Sequence, residues 1–215
     1  MRSKTSAQRS KKSADVRDQP TFIEAARRKQ IVECAIETIA ELGYARASLA
    51  EIAKRAGISK SVISYYFASK DELIQAVMEH VFATGTEYMV PRVHAQTTAR
   101  DALRAYVASN VAFMGEYRTL MRALVEIIAG FRDEEGIARL KRSELEPAAV
   151  ALSELLKWGQ STGEFRAFDT RVMAHAIRGT IDDVPNLLAV YPDEDLVALS
   201  VELVELFDRA TRAGV

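Results

Sequence analysis

The stretch from Ser48 to Glu72 is punctuated so densely that it can hold only short helices joined by tight turns, and this limits what the rest of the chain can be. Ser48-Leu49-Ala50-Glu51 has the spacing of a capping box, in which a Ser hydroxyl and a Glu carboxylate each satisfy an orphan amide at a helix start. A helix is expected to begin there. Leu49, Ile52, Ala53 and Ala56 recur at helical spacing, and Gly57 supplies the left-handed conformation that a sharp exit requires. The next helix begins near Ser59, which leaves two short helices across a tight turn, a helix-turn-helix. Ala53 lacks the bulk to keep them apart, and Ile58 and Ile63 fill the space beneath. Lys60, Ser61, Ser64 and Tyr65 stay on the outer side, free to meet a partner. Phe67 closes the pair as an aromatic plug, and Ser69 to Glu72 is a second capping box that opens a further helix.

A capping box and a glycine turn alone fit a helical hairpin in an all-α enzyme or scaffold as well as they fit a nucleic-acid reader. The charge distribution bears on the choice. The chain has 215 residues and a net charge of −1, but residues 1 to 70 carry +7 and residues 71 to 215 carry −8. One end is suited to a polyanion and the other is not. With 48% hydrophobic residues the chain can bury a real core, as a small domain plus a larger one. Its single cysteine, Cys34, excludes an internal disulfide framework and sits on the apolar side of an expected helix, as a core filler would. No apolar run approaches membrane-spanning length, and the basic N-terminus has no hydrophobic region after it. A cytoplasmic protein without a membrane partner is expected.

In order and without gaps, Gly43-Tyr44, Ser48-Leu49-Ala50-Glu51-Ile52-Ala53, Ala56-Gly57-Ile58-Ser59, Tyr66-Phe67 and Ser69-Lys70-Asp71-Glu72-Leu73 resemble the DNA-binding domain of the TetR family of transcriptional regulators, over about residues 24 to 75. The resemblance implies an all-α chain with an N-terminal three-helix helix-turn-helix domain and a larger C-terminal helical domain for ligand binding and dimerisation. The expected boundaries are 1–20 for a disordered basic arm, 21–68 for the DNA-binding domain and 69–215 for the rest. The resemblance places Arg46 and Ser48 where the family touches phosphate, and Tyr66 beside the DNA backbone. Lys60 and Lys70, as flexible point charges, suit phosphates. Ser59 starts the recognition helix, and Ser61, Ser64 and Tyr65 are the candidates for base edges. The family often has Gly at the position of Ser61 and an aromatic at that of Ser64, so the resemblance carries over no operator sequence.

Residues 1 to 20 place Arg2, Lys4, Arg9, Lys11, Lys12 and Arg17 among small polar side chains, a composition that does not order alone. They form either a solubilising tail or an arm along the DNA. Thr21 to Glu24 gives another capping box, opening a helix whose apolar face, Ile31, Cys34, Ala35, Ile36, Ile39 and Leu42, ends at Gly43. Arg27, Arg28 and Lys29 on it are either a solvated face or backbone contacts. From Ser69 an amphipathic helix is expected to about Val90-Pro91, by resemblance the connector between domains. Two helices are expected between about Thr98 and Phe131, and another, started or interrupted by Pro147, reaches Gly163. Asp169 reads as the next cap.

In the last helix, Leu196, Leu199, Leu203, Leu206 and Phe207 form one stripe and Val197, Val201 and Val204 a second, together covering roughly 220° of the helix at about 100° per residue. A single core needs only about half of that. The second surface suits another copy of the chain, and with the preceding helix, carrying Val172, Ile177, Ile181, Val184 and Leu188, it resembles the family's four-helix dimer interface. In the middle of the chain, bulky Phe113, Met114, Met121 and Trp158 with few polar groups, Tyr106, Asn110, His175 and Arg178, form the candidate lining for a small, mainly apolar effector. His80, His94 and His175 have no second ligand at helical spacing, so no metal, cofactor or catalytic constellation is expected. The expectation is a homodimeric repressor released by a small molecule from a palindromic double-stranded DNA operator. The competing class is a helical ligand-binding or scaffolding protein that keeps the helix-turn-helix shape without operator binding.

Overall fold

The computed structural model describes residues 22–131 and 142–214, with the side chains of 142–146 left aside. The basic arm over 1–20 and the Thr21 cap lie outside the described residues. Ten helices and no strands are found among those described: α1 Phe22–Leu42, α2 Leu49–Arg55, α3 Lys60–Tyr66, α4 Lys70–His94, α5 Ala99–Glu116, α6 Arg118–Gly130, α7 Arg142–Ser161, α8 Thr170–Asp182, α9 Val184–Val190 and α10 Leu196–Thr211.

The caps that mark the sequence also mark the helix ends. The Ser48 hydroxyl accepts from the Glu51 amide at 3.2 Å and the Ser69 hydroxyl from the Glu72 amide at 3.1 Å. Neither box closes reciprocally. The Ser48 amide donates to Arg46 O at 2.8 Å, and the Glu72 carboxylate accepts from the Ala68 amide at 2.7 Å, one residue upstream of the cap. Thr98, Asp169 and Asp195 cap α5, α8 and α10 with their side-chain oxygens. Gly57, at φ 64°, ends α2. There the Gly57 amide donates to Lys54 O at 3.3 Å and the Ile58 amide to Ala53 O at 3.0 Å, the paired bonds of a Schellman turn.

Three boundaries differ from the sequence expectation. α4 continues through Pro91 to His94, because Pro91 lies in its last turn, where only one intrahelical donor is lost. α7 likewise begins at Arg142, ahead of Pro147. The single helix expected to carry Val172 through Leu188 is two: α8 ends at Asp182, and Pro185 is accommodated in the first turn of α9.

One hydrophobic cluster runs from Ile31 in α1 to Phe207 in α10. α1 lies against α2, α4 and α6; α4 packs on α5, α5 on α10, and α7 on α8. The α1/α6 contact joins the two ends of the fold. Gly130 at the end of α6 lies so near the Tyr44 ring that an added Cβ would sit 2.5 Å from it. Tyr44 also donates its amide to Glu126 Oε2 at 3.3 Å and meets Phe131 edge-on at 6.1 Å between ring centroids. The loop that leads into the helix-turn-helix is therefore held by the last turns of α6.

Candidate nucleic-acid interface

α3 is only seven residues long, too short to be stable by itself, and is held by what it buries. Ile63 is fully buried, Phe67 is 1% exposed, and Ala53 of α2 lies under the crossing. Arg28 of α1 covers the Phe67 ring, 4.8 Å from its centroid, so this arginine braces the end of α3. Burying Ile63 and Phe67 rotates the other side of the helix outward.

That side carries Lys60, Ser61, Ser64 and Tyr65, all exposed, with Tyr65 at 73%. Ser59 precedes them as N-cap but makes no side-chain bond to the helix amides; its hydroxyl lies 2.7 Å from that of Ser61. Tyr65 packs edge-on against half-buried Tyr66 at 5.0 Å, and its hydroxyl is 3.5 Å from Glu24 Oε1. Two rings are thus stiffened at the end of a protruding helix, with serine hydroxyls beside them. Arg46 and Ser48 are exposed on the loop before α2, where Arg46 Nε donates to Leu42 O at 2.7 Å.

Lys70 is placed differently from the sequence expectation. Its Nζ donates to Tyr44 O at 2.7 Å and lies 4.1 Å from the centre of the Tyr44 ring. Burial lowers its pKa, with Asp71 opposing the shift. Lys70 is therefore a tie between the start of α4 and the loop after α1, with a carbonyl already accepting one of its protons, and not a free point charge.

The candidate effector residues divide in two. Tyr106, Asn110 and Arg178 come together between α5 and α8: one guanidinium nitrogen of Arg178 donates to Tyr106 Oη and to Asn110 Oδ1, each at 3.0 Å. Asp182 completes the group by pairing with Arg178. Burial of the Tyr106 phenol raises its pKa, opposed by Arg178. Phe113, Met114 and Met121 are buried core, and Phe113 forms a three-ring cluster with Tyr88 and Tyr117, its centroid 5.5 and 4.7 Å from theirs and theirs 6.0 Å apart. Trp158 and His175, in contrast, are exposed and do not join them, because α7 and α8 turn those faces outward. A cleft of about 370 Å³ opens instead between α1, α4 and the α5–α6 corner, lined by Glu37, His80, Thr84 and Tyr117 among others.

Tyr44 belongs to the sequence motif and is expected to pack under the helix-turn-helix, but its partners Glu126 and Gly130 lie over 80 residues away with no local pattern to relate them to it, apart from a glycine in an otherwise strongly amphipathic α6. Among the described residues no helix is long and apolar enough to cross a membrane, and no group of His, Cys, Asp and Glu is placed to hold a metal.

Residues 31–77 match the family model for bacterial regulatory proteins of the tetR family, which spans the second half of α1, the helix-turn-helix and the start of α4. The HTH-type transcriptional regulator BetI of Stenotrophomonas maltophilia is 34% identical over 122 residues, a match spanning 56% of this chain and 62% of that relative. The fatty acid metabolism regulator protein of Bacillus subtilis is 27% identical over 181 residues, 82% of this chain and 91% of the relative. In three dimensions the chain superposes on the crystal structure of the transcriptional regulator FadR from Bacillus subtilis in complex with stearoyl-CoA, with a TM-score of 0.73 and 28% identity over 83% of this chain and 96% of that one. FadR from Bacillus halodurans gives 0.74 at 26% identity, covering 85% and 94%. Residues 31–77 are thus a tetR-family helix-turn-helix region, and around it the chain has the fold of the FadR regulators.

Proposed function

We propose that the protein is a sequence-specific transcriptional regulator that binds a palindromic operator as a homodimer and leaves it when a small effector binds. The observation that carries this reading is α3, whose buried face is fixed by Ile63 and Phe67 while Lys60, Ser61, Ser64 and Tyr65 are presented to solvent. Lys60, Arg46 and Ser48 position the domain on phosphates; Ser61, Ser64 and Tyr65, with Ser59 and Tyr66 in support, read base edges and thymine methyls. Residues 21–68 act as the DNA-binding domain and 69–215 as the regulatory domain, with α4 belonging to both packing neighbourhoods.

Two copies are required because two recognition helices on successive turns of the major groove need a two-fold axis. The exposed apolar side chains Val197 and Val201, one turn apart on α10, with Val172 of α8, supply a self-complementary surface of the right kind. The effector is mainly apolar, a reading supported by the likeness to FadR of Bacillus subtilis, whose structure holds stearoyl-CoA. It engages α5 and α8 around Arg178, Tyr106 and Asn110, and acts through α6 and Tyr44 on the helix-turn-helix. Release demands that it favour the DNA-incompetent form, and operator must then weaken effector binding by the same factor.

The test is unbiased selection of genomic fragments by the purified protein, followed by binding to a selected fragment with stearoyl-CoA added. Enrichment of a palindromic sequence, lost on addition, is the expected result. Equal recovery of all fragments would remove the operator reading, and retention of the fragment with bound stearoyl-CoA would remove that effector class.

A further inference from the structure

Beyond the far end of α4, the start of α5, the loop between α7 and α8 and the end of α10 surround an open cleft of about 950 Å³. Five arginines line it, Arg100, Arg104, Arg166, Arg209 and Arg212, against two carboxylates, Asp101 and Glu164. The regulatory domain is acidic as a whole, so this concentration is opposite in sign to its surroundings.

Four of the five arginines are held by side-chain bonds. Asp208, 2% exposed, lies beneath them and takes both donors of Arg100, at 2.5 and 2.7 Å, and one from Arg104 at 3.3 Å. Arg166 donates through Nε to Ala210 O at 2.9 Å and through another nitrogen to Ala167 O at 3.2 Å, with its guanidinium 5.3 Å from the Phe168 ring centre. Arg209 pairs with Glu205. Arg212 makes no side-chain bond among the described residues, although its backbone is fixed by the bridge to Phe165. The two carboxylates are engaged as well. Glu164 accepts from the amides of Ala99 and Arg100 and from the Thr162 hydroxyl, and Asp101 accepts from Thr98. Among the described residues no carboxylate pairs with Arg166 or Arg212, which lie on neighbouring segments joined by the Phe165–Arg212 bridge, and Arg104 shares its one carboxylate with Arg100.

We propose that this cleft binds a small molecule through adjacent phosphate groups. Guanidinium forks match phosphate oxygens bidentately, and side chains already tethered lose less freedom when they do so. The volume is that of a small-molecule site, and a concave wall with an excess of positive charge, five arginines against two carboxylates, concentrates a multiply charged anion more than a flat surface does. Arg166 and Arg212 from neighbouring segments and Arg104 from α5 line the same cleft, so adjacent phosphates bound there have more than one guanidinium to meet. The inference does not depend on the reading of α3 as a DNA-binding helix.

Calorimetric titration of the full chain with inorganic pyrophosphate, at ionic strength matched with sodium chloride, tests it without DNA. Saturable binding at one site per chain is expected, weakened about fivefold or more by Arg212→Ala and about tenfold or more by Arg166→Ala combined with Arg212→Ala, since each removes a charge-assisted contact. Arg212→Ala alone removes a side chain that makes no bond among the described residues, so that variant is expected to fold. Lys60→Ala, on the recognition helix, should leave the titration unchanged. No saturable heat, equal binding by the Arg212→Ala variant, or loss of binding in Lys60→Ala would each overturn the proposal.

Discussion

Asp208 is where burial and charge are most sharply opposed. Its carboxylate is almost wholly enclosed, yet the hydrogen bonds from Arg100, helped by Arg104, hold its pKa down to about 2. A folded-state pKa below the unfolded value of 3.8 means a stabilisation fully present above that value and lost as pH falls through about 2. The shift corresponds to on the order of 2 kcal/mol. Asp208→Asn should therefore unfold more easily than the wild type in urea at pH 6, with the gap narrowing between about pH 4 and pH 2. A gap that stays constant down to pH 2 would mean that Asp208 acts through packing alone. At the opposite end, Lys60→Ala should weaken DNA binding across all sequences and flatten its salt dependence, whereas Ser64→Ala or Tyr65→Ala should cost about 1–3 kcal/mol on particular bases. Equal losses on operator and unrelated DNA for Tyr65→Ala would take it out of sequence reading. Residues of this sort were only partly legible in sequence. Lys60, Ser61, Ser64 and Tyr65 followed from the register of a short helix, while the link from Lys70 to Tyr44 O depends on a loop 26 residues earlier.

At the scale of the element, turns and caps act within a few residues, and so the helix-turn-helix was legible in detail. Gly57 and Gly130 show two different demands on a glycine. An added Cβ at Gly57 would meet nothing within 4 Å, so Gly57→Ala isolates the cost of a positive φ, about 1–2 kcal/mol in unfolding free energy. At Gly130 a Cβ would strike the Tyr44 ring, so Gly130→Ala should displace the loop before α2 and lower operator affinity as well as stability, by about 1–3 kcal/mol. Wild-type operator affinity in a folded Gly130→Ala variant would separate the α6 contact from the recognition helix. The regulatory helices were less legible. Apolar periodicity located them, but which face of α7 and α8 turns inward is decided by their neighbours, and for that reason Trp158 and His175 lie outside. The tie from Glu164 to the start of α5 spans 65 residues and has no local signature.

For the molecule as a whole, the double stripe of the last helix is realised in part. Leu203 and Phe207 are buried, Leu196, Leu199 and Val204 are half-covered, Val197 and Val201 face outward together, and Leu206, expected in the buried stripe, is exposed on the far flank, about 180° from Val197. In the proposed dimer the face of Val197 and Val201 meets its copy. Val201→Glu should give monomers in sedimentation, with an unchanged helical spectrum and a large loss of operator affinity, since one half-site must then be held alone. A folded Val201→Glu variant that remains dimeric would move the interface to another surface. The account stands or falls on whether α3 reads DNA in that dimer. The most direct measurement is the affinity for a selected palindromic fragment and for its scrambled counterpart across a series of salt concentrations. Preference for the palindrome by at least about a thousandfold, a steep loss of affinity with salt, and a shallower slope in Lys60→Ala are expected. Equal affinity for both fragments at every salt concentration would contradict that reading of α3.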